Sequence, residues 1–182
     1  MNLVKNFFGH LKTISKHKFI VFKLSIKAGI PLRGLVHDLS KFSPEEFFES
    51  VKYYTGYKSP IVKCKEKKGY SRAWLHHKGR NKHHFEYWYD FNSPENTPII
   101  PYKYAAEMVC DTVAAAITYH KKDFKEENVY NYFVKRKDLE YINPKIVIYL
   151  TKVYEEIKNK GIKSTIRKKN LKKLYKKYVL DN

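Results

Sequence analysis

Gly34-Leu35-Val36-His37-Asp38-Leu39-Ser40-Lys41 sets an imidazole beside a carboxylate inside an otherwise apolar helical turn. On this reading Leu35, Val36 and Leu39 half-bury the pair. A half-buried carboxylate is costly without a cation against it, and a divalent metal held jointly with the adjacent His supplies that charge. The plain alternative is a satisfied pair in which Asp38 orients His37 or caps a turn. The neighbouring sequence weighs between the two.

Upstream, apolar residues recur at helical spacing from about Leu3 to Ala28 (Phe7, Leu11, Ile14, Phe22, Ile26), and Gly29 with Pro31 stops the element. His17 flanks that apolar stripe, offset from Phe22 by five residues and from Phe19 by two, and could face a cleft. Pro31 suits the first turn of a short second helix carrying His37 and Asp38. Ser43-Pro44-Glu45-Glu46 reads as a capping box with Pro at N1, opening a helix to about Tyr54, so Glu45 and Glu46 are expected to serve the cap and the helix dipole. Lys41 falls in the short connection, three residues beyond Asp38.

Downstream, Thr55 to Gly69 reads as a Lys-rich surface loop or mobile lid. Then four of the eight histidines fall within nine residues, at His76, His77, His83 and His84. Ser71 is placed to cap a short helix through His77 that Gly79 ends, and Asn81 to cap the next, with His83 and His84 in its first turn. Trp74, Phe85 and Trp88 should draw these histidines inward. Asp90 to Pro101 carries Pro94, Pro98 and Pro101 and is expected to be a connection. Pro101 opens a helical run through Ile117 that reads as the central buried helix. Glu107 and Asp111 share one of its faces, and two carboxylates buried together repel unless a proton or metal intervenes. Three further helical patterns follow, at about 125–137, 144–160 and 164–180, the last amphipathic and Lys-rich.

At 182 residues, with 43% hydrophobic and 16% aromatic content, the chain should form one folded domain; seven Gly and seven Pro favour long helices over a many-turned β-fold. The net charge of +19 opens a nucleic-acid argument, but only five of the 37 basic residues are Arg, the side chain that bidentate phosphate and base recognition prefers. A Lys excess with many Tyr, Ile and Asn also follows from low-GC coding. Nucleic-acid binding is therefore not favoured. Cys64 and Cys110 form no CxxC motif and fit a reducing cytoplasm. Lysines interrupt every N-terminal apolar run, so neither a signal peptide nor a transmembrane segment is expected, and the protein should be cytoplasmic.

In order, His17, His37-Asp38, His77, His83-His84 and Asp111 form a series of imidazoles and carboxylates without thiolate, which suits Mn, Fe, Mg or Zn. This series resembles the HD-domain superfamily of metal-dependent phosphohydrolases. The run Gly34 to Glu46 together with Trp74 to Trp88 looks most like an uncharacterised family of HD-like bacterial and phage proteins. The resemblance covers roughly residues 10–120 and implies an all-α, single-domain HD-like bundle with residues 1–124 as the metal-binding part. The tail carries no assignable motif. From its own pattern 125–182 reads as a basic helical extension packed on the same domain, the alternative for its last helix being an arm that touches RNA, DNA or an anionic membrane. It implies one or two divalent ions. His17, His37, Asp38 and Asp111 occupy the places that bind one, and His77 and His84 are chosen for a second that Asp38 would bridge. His76, His83, Glu107 and Asn81 remain further candidates. Lys41 matches the Lys that contacts the substrate phosphate. From the residues themselves, Lys41 and Arg80 could stabilise charge on a phosphoryl group, with Lys78 as another substrate-binding cation. Trp74, Tyr87 or Trp88 could stack a base, although core packing suits both Trp better.

The reading is thus a metal-dependent phosphatase or phosphodiesterase acting on a nucleotide-like phosphate ester. The segment between Asp38 and His77 is long for the superfamily and no Gly-Tyr-Pro motif follows, so the substrate class stays open; the sequence does not speak to the oligomeric state. The second reading is a basic nucleic-acid-binding or adaptor module whose metal or His cluster only holds the fold together.

Overall fold

The first helix, α1 (Leu3–Ala28), begins where the Asn2 side chain accepts a hydrogen bond from the Lys5 amide at 3.0 Å, and it ends at Gly29, which takes the left-handed conformation at φ +76°. Gly29 is needed there twice over. A Cβ on it would also lie 2.5 Å from the Lys168 side chain, so the first helix's end and the C-terminal region meet at this glycine. The computed structural model describes residues 2–92 and 97–181. Pro94, expected in a connection, lies outside them.

Beside α1 runs the central helix α6 (Tyr102–His120). Its Ala105, Ala106, Val109, Val113 and Ala114 are fully buried, small enough to let the neighbouring helices approach closely. The same apolar cluster takes in α8 (Pro144–Lys160), through Tyr149, Leu150, Val153 and Ile157, and α10 (Lys168–Tyr175), through Leu171. The Tyr175 hydroxyl donates to the Ile100 carbonyl at 2.8 Å. One core therefore joins the first helix to the last. The C-terminal lysines sit outside it, and the helix docks its apolar side as its pattern suggested.

On the other side of α1 lie α2 (Pro31–Val36), α3 (Pro44–Tyr53), α4 (Pro60–Lys68) and α5 (Arg72–Arg80). A small second cluster of Ile14, Phe47 and Val51, with Phe7 and Leu11 against it, fixes α3 to α1. The remaining helices are α7 (Glu127–Val134) and α9 (Ile162–Thr165). All regular elements among the described residues are helical. None of those helices is long and apolar enough to cross a membrane.

Three local expectations are corrected. Thr55 to Gly69 is no loop: Pro60 at the first turn and Gly69 at φ +81° bracket α4, which buries Cys64 fully. Asn81 starts no new helix. It ends α5, donating back to the His77 carbonyl at 2.8 Å, and His83 and His84 fall in an irregular turn before a short 3-10 segment at Phe85–Tyr87. The pattern at 164–180 is broken into α9, α10 and a π turn at Lys176–Leu180.

Candidate metal centre

A fourth correction concerns His37 and Asp38, which do not lie within a helix. α2 stops at Val36, His37 leaves it with ψ 128°, and Asp38 takes the left-handed conformation at φ 52°, ψ 29° before a 3-10 turn at Leu39–Phe42. Asp is among the few non-Gly residues that tolerate that region. The turn reverses the expected facing. His37 and Asp38 are 0% and 2% exposed, whereas Leu35 and Leu39 are 57% and 54% exposed. The carbonyls freed at the end of α2 are taken by Lys18, whose Nζ donates to Leu35 O at 2.6 Å and to His37 O at 2.7 Å.

Around the turn, donor atoms converge in two groups of four that share Asp38: His17, His37, Asp38 and Asp111, and Asp38, His77, His83 and His84. In the first, His37 Nε2 lies 3.2 Å from Asp38 Oδ2, 3.4 Å from Asp111 Oδ1 and 3.4 Å from His17 Nε2, while His17 Nε2 lies 3.0 Å from Asp111 Oδ1. In the second, Asp38 Oδ1 lies 3.3 Å from His77 Nε2 and 3.4 Å from His83 Nε2. Ligands about 2.1 Å from a metal ion stand about 3.0–3.4 Å apart in octahedral and tetrahedral shells, so these spacings fit coordination. Asp38 Oδ1 and the Nε2 atoms of His77, His83 and His84 are buried without any hydrogen-bond partner. Each such orphan costs about 1–3 kcal/mol unless something satisfies it. A divalent cation would satisfy all four, and the donor set suits one.

Behind the rings stand two carboxylates. Glu107 Oε1 lies 3.1 Å from His37 Nδ1 and 3.3 Å from His83 Nδ1, and Arg33 grips the same carboxylate, donating from Nε at 2.7 Å and Nη2 at 3.2 Å. Glu46 Oε2 lies 2.8 Å from His77 Nδ1, and its Oε1 lies 2.6 Å from His76 Nδ1. A carboxylate on the far nitrogen fixes the tautomer and turns Nε2 toward a metal. Glu107 thus backs two histidines, while also forming a third, smaller donor group with them. Glu46 was expected only in the cap. Its amide does donate to the Ser43 hydroxyl oxygen, as the cap requires, but its side chain is buried behind His77.

Electrostatics follow from this packing. Burial alone would raise Asp38, but His37, Lys41 and His77 hold it well below the usual carboxylate range. Burial opposes the charge on Lys41, yet Asp38 and Asp111 outweigh it and raise the ammonium above its ordinary value. Burial, with His83 and His77 alongside, pushes His84 well below the usual imidazole range. Against burial, hydrogen bonds with His37 and His83 bring Glu107 down to about 2.

Most of the centre's donor side chains are buried, His84 and Asp111 only partly. Asp111 and Lys41 keep 20% and 25% of their side-chain surface open, and Lys41 Nζ sits 2.6 Å from Asp38 Oδ2. Of the other expected residues, His76 faces Glu46 and Glu45 outside the donor groups, and Asn81 donates to Ser40 Oγ at 2.9 Å without joining them. Both His83 and His84 belong to one group, so the pair is not an either-or choice. Arg80 is exposed at the end of α5, and neither it nor Lys78 is paired with the centre's carboxylates among the described residues. Trp74 packs edge-on against His84 with ring centres 4.9 Å apart, and Trp88 packs on Tyr104, so both are structural walls. Arg33, Lys18 and the supporting role of Glu46 were missed. So was His10, buried against Phe47 and Tyr54 with Nδ1 unpartnered. Only its seven-residue spacing from His17, two helical turns along one face, could have pointed to it.

Fold and site together define an all-helical protein with a buried His/Asp centre positioned to hold metal. Residues 6–157 match a family of unknown function, DUF5662, and the chain belongs to that family. No curated protein and no solved structure matches the chain.

Proposed function

We propose that the protein is a metal-dependent phosphoric ester hydrolase of the HD-like kind, with residues 1–124 as its metal-binding part, 125–182 as a basic extension, and a nucleotide-like phosphate ester as substrate in the cytoplasm. His17, His37, Asp38 and Asp111 would hold one divalent ion, and His77, His83 and His84 a second, with Asp38 common to both. The observation that carries the reading is the open edge of an otherwise buried centre: structural metal sites are closed, whereas catalytic ones keep a side for substrate. Asp111 and Lys41 form that edge.

A divalent ion bound there would supply Lewis acidity, polarising a phosphoryl oxygen and lowering the pKa of water. The chain's own residues do the rest. Glu107 and Glu46 hold His37, His83 and His77 in one tautomer and orientation. Lys41 presents a fixed ammonium where negative charge on a phosphoryl oxygen would otherwise go unbalanced beside Asp38 and Asp111. Trp74, packed edge-on against His84, covers one side of that ring.

The test combines elemental analysis with a panel of phosphatase and phosphodiesterase substrates, on wild type and Lys41→Met. The expected outcome is bound metal and turnover in wild type. Lys41→Met should retain metal and melting temperature while losing about 2–4 kcal/mol of transition-state stabilisation in kcat/KM. Metal without turnover would favour the adaptor reading with a purely structural cluster.

A further inference from the structure

The outer face of α1 is used by nothing described above. This helix carries six lysines and neither Asp nor Glu along its 26 residues. Its exposed residues are not scattered. At about 100° per residue, Val4, Phe8, Phe19 and Ile26 fall within one sector of roughly 60°. The exposed Lys5, Lys12, Lys16, Lys23 and Lys27 fill the adjoining sector of roughly the same width. Phe8 and Phe19 are 64% and 56% exposed. The Lys23 ammonium lies 4.2 Å from the centre of the Phe19 ring, where the two strips meet.

Neighbouring elements widen the apolar strip. On α3, Phe48 is 62% exposed and shares a groove with Leu3, Val4, Phe7 and Phe8 in which, among the described residues, the only charged wall is Lys52. On the flank of α1, α2 is moored by Lys18 and adds the exposed Leu32 and Leu35. Exposed apolar patches of this extent mark a binding surface. The charge beside this one selects the occupant.

We infer that this face binds an anionic phospholipid surface. Protruding Phe and Leu side chains enter the boundary between headgroups and acyl chains, while a parallel row of lysines meets the lipid phosphates, the division that lets a helix lie in an interface. A nucleic-acid backbone would use the lysines but has no place for the apolar strip. The assignment is independent of catalysis at the metal centre.

Flotation with vesicles of phosphatidylcholine alone, and of phosphatidylcholine containing roughly one quarter phosphatidylglycerol, tests it. The full chain should float with the anionic vesicles only. The double variant Phe8→Ser, Phe19→Ser should reduce that binding about 10-fold or more at an unchanged melting temperature, since both rings are already exposed. Lys12→Glu with Lys16→Glu should reduce it by about 10-fold and flatten its salt dependence. Three results overturn the inference. They are no binding to anionic vesicles; binding that survives the double Phe variant, which would leave charge alone; or release of vesicles by an oligonucleotide whose own affinity the Phe changes do not alter, which would make the face a nucleic-acid surface.

Discussion

The His37–Asp38 turn and α8 obey opposite rules. Along α8, Ile146, Tyr149, Leu150, Val153, Tyr154 and Ile157 recur at three- and one-residue steps and are all buried, as an amphipathic helix on a core requires. At the turn, Leu35, Val36 and Leu39 are the exposed residues and His37 and Asp38 the buried ones. Hydrophobic pattern decides facing where the backbone is regular, because every residue then keeps a fixed angle to its neighbours. Where α2 breaks and Asp38 turns left-handed, the local pattern loses its hold. The inward pair is supported instead by charges from distant parts of the chain.

Substitutions should separate the two regimes, and the largest effect is expected at Asp38. Asp38→Ala removes the carboxylate common to both donor groups, so titration calorimetry with Mn2+ or Zn2+ should show affinity falling by more than about 100-fold, beyond the loss caused by outer-shell changes. Unaltered stoichiometry and affinity would break the assignment. Next comes Leu150→Ala in α8, which should cost about 2–5 kcal/mol in denaturant unfolding and leave metal affinity alone. A loss of metal binding there would mean that the two regions are not energetically separate.

Glu46→Gln should be smaller. It keeps shape and burial but weakens the grip on His77, and metal affinity should fall about 10–100-fold. His10 gives a pH-dependent effect. Burial, and secondarily Lys41, lowers its pKa from 6.5 to about 4. Between those values the unfolded chain binds a proton that the folded chain refuses, so His10's contribution to stability is present above pH 6.5 and is lost as pH falls toward 4. His10→Leu should flatten that part of the stability curve, measured as denaturation midpoints across the window. Smallest of all, Leu35→Ser should change stability by no more than about 0.5 kcal/mol, because its side chain is already in water. A cost of several kcal/mol would restore the expectation that Leu35 helps to bury the pair.

Much of the helical scaffold was readable because its signals are local. Gly29 after α1, Ser43-Pro44 before α3, Pro101 before α6 and Pro144 before α8 each act within a few residues of the boundary they set. Ser59-Pro60 before α4 was an equally local signal, and the lysines that suggested a loop obscured it. His17, His37, Asp38, His77 and Asp111 also stood out, since ionisable residues among apolar ones demand an explanation wherever they fall.

What the sequence by itself determined, then, is an all-helical chain and the chemical kind of its buried centre: imidazoles and carboxylates, no thiolate. Which of each His pair turns inward was decided only in three dimensions. His76 and His77 differ by about 100° around α5 and both meet Glu46, but only the face that carries His77 is turned to Asp38. His83 and His84 escape that restriction because no regular helix holds them, so both enter. Arg33 on Glu107 and Glu46 on His77 are contacts across 74 and 31 residues. No local periodicity encodes such a pairing, because it exists only once the helices have packed.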